Sequence, residues 1–100
     1  MVIVAGHITV EPQQREPYLA GCVSVVERAR GPAGCLDFAI TADPIDPGRV
    51  NIFERWESQA ALNSAPGNAP GFEQAEAMLS VSVADYDVAD VRPLFGGGTA

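Results

Sequence analysis

Residues 35–57 read CLDFAITADPIDPGRVNIFERWE. Leu36, Phe38 and Ile40 share one parity over 35–42, the period-two pattern of a half-buried strand. Asp43-Pro44-Ile45-Asp46-Pro47-Gly48 packs six turn-forming positions together. Residues 49–57, RVNIFERWE, resume the alternation and read as another strand. Two strands joined by a turn run antiparallel, so this stretch predicts a hairpin with a long loop.

Upstream, residues 2–10 also alternate. Val2, Val4, Gly6, Ile8 and Val10 form one face; Ile3, Ala5, His7 and Thr9 form the other. Both faces are largely apolar, so both call for cover. Helices cover one; a second sheet from a partner subunit would cover the other. After Glu11-Pro12, residues Tyr18, Leu19, Cys22, Val25, Val26 and Ala29 recur at helical steps. Arg28 and Arg30 suit the last turn of that helix, and Gly31-Pro32 ends it. Downstream of the hairpin, Ser58 is placed to cap a short helix through Leu62 or Asn63. The Pro/Gly segment 65–71 breaks the chain, and a second helical piece runs from about Phe72 to Met78. Residues 79–91 alternate as a fourth strand. The order β-α-β-β-α-β predicts a ferredoxin-like α+β fold, an antiparallel sheet with helices on one face, over residues 1–95. The Gly-rich run 96–100 predicts a flexible tail.

Thirteen acidic residues against six arginines, with no lysine, give a formal charge of −7. Nucleic acid and anionic membrane surfaces both select clustered cations, so neither is an expected partner. No apolar run approaches the roughly 20 residues needed to cross a bilayer. MVIVAGHITV has no basic region ahead of its apolar residues and reads as a strand rather than a secretion signal. Cys22 and Cys35 match no metal spacing, and a cytoplasmic location with reduced thiols is expected. A hundred-residue chain buries a limited core alone, which favours an oligomer.

Gly34-Cys35-Leu36, Asp46-Pro47-Gly48, Phe53-Glu54-Arg55-Trp56-Glu57-Ser58 and Ala60-Ala61-Leu62 together resemble the antibiotic biosynthesis monooxygenase family of the dimeric α/β barrel superfamily. The resemblance extends over about residues 2–92. It implies a homodimer in which two sheets face each other, with a small pocket in each subunit between sheet and helices. Some members oxygenate phenolic or quinol-type substrates without a cofactor, and others degrade haem. The family often carries a histidine shortly after the Ala-Leu pair and another before a Phe. Here those places hold Asn63-Ser64-Ala65 and Pro70-Gly71-Phe72.

Cofactor-free oxygenation needs an apolar cavity, a donor that holds a phenolate and, in some cases, a base. The candidate catalytic residues are Trp56, Glu54 and His7. The resemblance places Trp56 against the pocket, where it would offer an apolar wall and an indole N–H; it can equally be a core aromatic. Glu54 shares its parity, and a carboxylate on a covered face must be paired or protonated. It reads either as a structural hydrogen-bond or ion-pair partner of an arginine, or as a base with a raised pKa. His7 is the sole histidine; its parity sends it to the barrel interior or a subunit interface whenever Gly6 and Ile8 face the helices.

Gly6, Tyr18, Asn63 and Phe72 are candidate substrate contacts, with Gly6 permitting close approach to the sheet. Tyr18, Asn63 and Asn68 read first as cap, turn or rim residues and second as polar contacts. Arg49, Arg55 and Arg92 are expected in salt bridges, and segment 65–71 as a lid or a plain loop. No metal and no cofactor are expected. The resemblance thus implies a cofactor-independent monooxygenase whose partners are a small aromatic, phenolic or quinol-type molecule and dioxygen. The alternative is a non-catalytic dimeric domain that binds a small hydrophobic ligand.

Overall fold

Period-two alternation becomes four strands of eight residues each: β1 (Val2–Thr9), β2 (Cys35–Ala42), β3 (Arg49–Trp56) and β4 (Ser80–Asp87). Between them lie a 3₁₀ turn (Pro12–Gln14), α1 (Arg15–Arg30), α2 (Gln59–Ser64) and α3 (Phe72–Ala77). This computed structural model describes residues 1–31, 33–65 and 72–96, with 72–74 described by backbone alone. The strands form one antiparallel sheet in the order β2-β3-β1-β4, an open sheet with the ferredoxin-like connection.

Register decides which residues meet. Across β1 and β3, Val2 pairs with Trp56, Val4 with Glu54, Gly6 with Ile52 and Ile8 with Val50. Across β2 and β3, Phe38 pairs with Glu54 and Ile40 with Ile52. These side chains share the helix-facing side, because side chains alternate between faces along each strand. On the other face, His7 pairs with Asn51 and Ser82, Ala5 with Phe53 and Ala84, and Ile3 with Arg55 and Tyr86.

The helix-facing side packs into two clusters. One gathers Val2, Ala29, Phe38, Trp56, Leu62 and Ala65. The other gathers Ile8, Val10, Tyr18, Cys22 and Val50. Tyr18, Cys22 and Ala29 are the buried stripe of α1, spaced as the helical period requires. Each fully buried large apolar side chain contributes about 1.5–3 kcal/mol to folding. Ser58 caps α2 through its side chain, whose Oγ accepts from the Ala61 amide at 3.1 Å. Gly34 sits at φ +99°, and a Cβ there would lie 2.7 Å from the Ala61 Cβ, so glycine lets α2 settle against the start of β2.

Several boundaries differ from the sequence reading by a residue or more, and three of the differences have a plain cause. The first helix is preceded by a 3₁₀ turn, since Pro12 provides no amide to an α-helical ladder. β1 ends at Thr9, although Val10 remains buried. β4 ends at Asp87 rather than 91, because its only partner begins at Val2; the Val88 amide bonds Met1 O, and beyond that no strand is left to pair. The expected break at 66–71, Asn68 and the tail at 97–100 lie outside the described residues. Neither cysteine is in a disulfide. Among the described residues no helix is long and apolar enough to cross a membrane.

Candidate active site

Glu54 and Trp56 project from β3 into the side of the sheet that the helices cover. The Trp56 indole Nε1–H donates to Glu54 Oε1 at 2.9 Å. Trp56 is buried, 1% exposed, and meets Phe38 edge-to-face with ring centroids 6.4 Å apart. Glu54 is half-buried. No arginine lies within ion-pairing distance of it among the described residues; the two ion pairs there are Arg49–Asp43 and Arg55–Asp37. Burial pushes the Glu54 carboxyl above its ordinary value, and the indole hydrogen bond pulls it partly back. Of the two structural partners weighed for Glu54, a hydrogen bond is present and an arginine is not.

The indole N–H is therefore engaged by protein, and Trp56 presents its ring to Phe38 and the surrounding core. His7 stands on the opposite face, so the sheet itself separates it from Glu54 and Trp56. Gly6 lies next to Val4 and Ile8 on the helix-facing side. Its φ is +154°, and a Cβ there would fall 1.9 Å from Ser82 O. The glycine thus accommodates β4 rather than leaving open space beside the sheet. Tyr18 is buried in the second cluster beside Cys22; burial, followed by the Cys22 thiol, raises its phenol to about 12. Asn63 is exposed on α2 and accepts from Gln59 Nε2 at 3.0 Å. The side chain of Phe72 lies outside the described residues. Arg92 makes no ion pair among them, since it follows the end of β4 in an irregular exposed segment.

Two features escaped the sequence reading. Cys35 comes close enough to Glu54 to feel its charge. Burial chiefly raises the thiol pKa, aided by Glu54 and Asp37 and opposed by Arg30. The register shift between Cys35 and Asp37 redirects the chain there, and period-two reasoning contains no signal for such an irregularity. The second is a polar knot at the β2–β3 loop. Asp43 Oδ2 accepts the amides of Ile45 and Asp46, and its Oδ1 accepts from Asn51 Nδ2. Arg15 Nη1 donates to the carbonyls of Asp43, Asp46 and Arg49. The Asp-Pro-x-Asp-Pro-Gly turn was the available signal; the reach of Arg15 from α1 was not.

A four-stranded antiparallel sheet with helices on one face and a Glu-x-Trp pair beneath them defines a ferredoxin-like domain with a half-buried carboxylate. Residues 1–68 match the antibiotic biosynthesis monooxygenase family, and the chain belongs to it. Solved structures agree on the fold. A Deinococcus radiodurans protein classed provisionally with these monooxygenases superposes with a TM-score of 0.78 at 20% identity, over 96% of this chain and all of its own. Rv0793 from Mycobacterium tuberculosis gives 0.73 at 21% identity, over 92% of this chain and 98% of its own. In sequence, the chain is 31% identical over 62 residues to sll1783, an uncharacterized Synechocystis protein. That match covers 62% of this chain and 42% of the length of sll1783.

Proposed function

We propose that this chain is a cofactor-independent monooxygenase that oxidises a small aromatic, phenolic or quinol-type molecule with dioxygen, working as a homodimer in the cytoplasm. The carrying observation is Glu54: a carboxylate in a desolvated site, without an arginine partner, held by one indole N–H at 2.9 Å. A carboxylate so placed is a better proton acceptor than one in water. Glu54 takes the acidic proton of the substrate. The resulting anion passes one electron to dioxygen, and the radical pair recombines to form a C–O bond. Loss of water from that peroxide leaves a quinone-type carbonyl. Glu54 returns the first proton to the peroxide before water leaves, so the substrate gives up two hydrogens, one as the acidic proton and one from the oxygenated carbon, and one oxygen atom ends in product and the other in water. Trp56 holds the carboxyl in place.

The exposed sheet face supports the dimer. Phe53 and Tyr86 lie there, 42% and 55% exposed in the single chain, beside Ile3 and Ala5. An apolar face of this kind is the surface that a second sheet would cover. Members of the family are generally dimeric.

A second reading has an observation of its own. Trp56 is packed on every side, which suits a core aromatic in a domain that binds a hydrophobic ligand without turning it over. Oxygen uptake separates the two readings. A panel of hydroquinones, anthrones and simple phenols should include a compound that drives dioxygen consumption, abolished in Glu54→Gln with the fold intact. Saturable binding without uptake supports the second reading.

A further inference from the structure

His7 is the sole histidine of the chain, and it stands half-buried on the sheet face that the helices leave uncovered. β1 is an inner strand in the order β2-β3-β1-β4, so His7 lies toward the middle of that face and away from its two edges. Its cross-strand partners are uncharged, Asn51 on β3 and Ser82 on β4. Along β1 its neighbours on the same face are Ala5 and Thr9. The charged groups of the face are committed elsewhere. Asp37 on β2 pairs with Arg55 on β3. Asp43, just past the end of β2, accepts from Asn51 Nδ2 and lies 3.8 Å from Arg49 Nε. Asn51 Oδ1 accepts from Arg49 Nε at 2.7 Å, so the amide opposite His7 is engaged at both ends. Tyr86, the remaining titratable group of the face on β4, sits opposite Ile3 at the far end of β1.

We infer that His7 is a pH switch on the homodimer: neutral, it is enclosed between the two sheets; protonated, it drives them apart. The inference rests on the face-to-face homodimer proposed above. A two-fold interface matches one patch with itself, so the second copy brings the same charges, paired in the same way. Each imidazole then meets no carboxylate left over to balance a proton. A charge moved from water to a covered surface without a partner is costly, and the two-fold axis applies that cost twice. The dimer therefore binds fewer protons than two free chains, and mass action turns acidification into dissociation.

Sedimentation equilibrium from pH 7.5 to 5.5 tests this on the full chain. A histidine in water exchanges its proton near pH 6.5, so keeping two protons out of the dimer should raise its dissociation constant about a hundredfold over that range. His7→Gln should hold one dissociation constant throughout, and His7→Arg, cationic at every pH, should pair weakly at all of them. A single histidine also gives a readout that needs no variant. Its ring ¹H–¹³C signal should titrate at lower pH in concentrated protein, where the dimer prevails, than in dilute protein. A dimer whose dissociation constant is flat with pH, tightens on acidification, or weakens equally in His7→Gln would overturn the switch while leaving the homodimer in place, as would an imidazole titration independent of protein concentration. A chain that is monomeric at every pH would overturn the homodimer and the switch with it.

Discussion

Trp56 and Glu54, two residues apart on β3, are joined by an indole N–H···carboxylate hydrogen bond of 2.9 Å on the covered side of the sheet. The bond ties the largest fully buried side chain among the described residues to a half-buried carboxylate that burial desolvates. Trp56→Phe keeps an aromatic ring but removes the donor and part of the ring's volume, and should cost about 1 kcal/mol for the hydrogen bond plus a further amount for the cavity left in the core. The Glu54 carboxyl should then titrate higher still, because the interaction that lowers it is gone. Carboxyl ¹³C shifts measure this directly. Trp56→Leu also opens a cavity and should cost about 3 kcal/mol or more in chemical denaturation.

Glu54 gives stability a defined pH dependence. Its folded pKa is raised above the unfolded value, so its neutral form is the one the fold favours. Stability is therefore fullest below the unfolded carboxylate pKa and declines as pH rises through the folded one. Glu54→Gln should unfold at a higher temperature than wild type at pH 7, and the gap should close near pH 4. A variant less stable than wild type at pH 7 would show that the ionised carboxylate is a net stabiliser.

Asp43 behaves in the opposite sense. Amide donation from Asp46, then Asn51 and Ile45, holds its carboxyl down at about 2 against an ordinary value of 3.8. Its contribution is present above the unfolded pKa and is lost as pH falls from about 3.8 through about 2. Asp43→Asn should flatten this part of the acid unfolding curve, read by circular dichroism, and leave the neutral-pH fold in place.

Gly6→Ala should be among the costliest single-methyl additions in the chain. The new Cβ would fall 1.9 Å from Ser82 O and 2.7 Å from Val83 Cα, both backbone atoms of β4. Either β4 shifts or its pairing with β1 breaks locally, at about 2–4 kcal/mol. Loss of amide-exchange protection in 80–87, ahead of the rest of the sheet, is the expected signature.

Strand periodicity made the sheet legible from residues alone. Parity grouped Val2, Val4 and Ile8 within β1, Phe38 and Ile40 within β2, and Ile52 and Trp56 within β3, and each group lies on the helix-facing side; Leu36, grouped with Phe38 and Ile40 by the same parity, falls at the register shift between Cys35 and Asp37 instead. Parity also put Glu54 beside Trp56 and His7 on the other face. What it could not supply was anything made by a change of register or a long reach. The shift at Cys35/Asp37 that brings a thiol toward Glu54 breaks the period on which the reading depends. The engagement of the indole by Glu54 depends on rotamers, which alternation does not encode. Arg15 bonding carbonyls up to 34 residues away follows from tertiary placement alone.

The pH profile of oxygen consumption, measured with a compound that supports turnover, tests most directly whether Glu54 is a base positioned by Trp56. A base must be ionised to act, so kcat/KM should rise with pH through a midpoint above the ordinary carboxylate range. That midpoint should move higher in Trp56→Phe, and the activity itself should vanish in Glu54→Gln. An unchanged profile in Glu54→Gln would contradict the account and leave the carboxylate as a structural partner of the tryptophan.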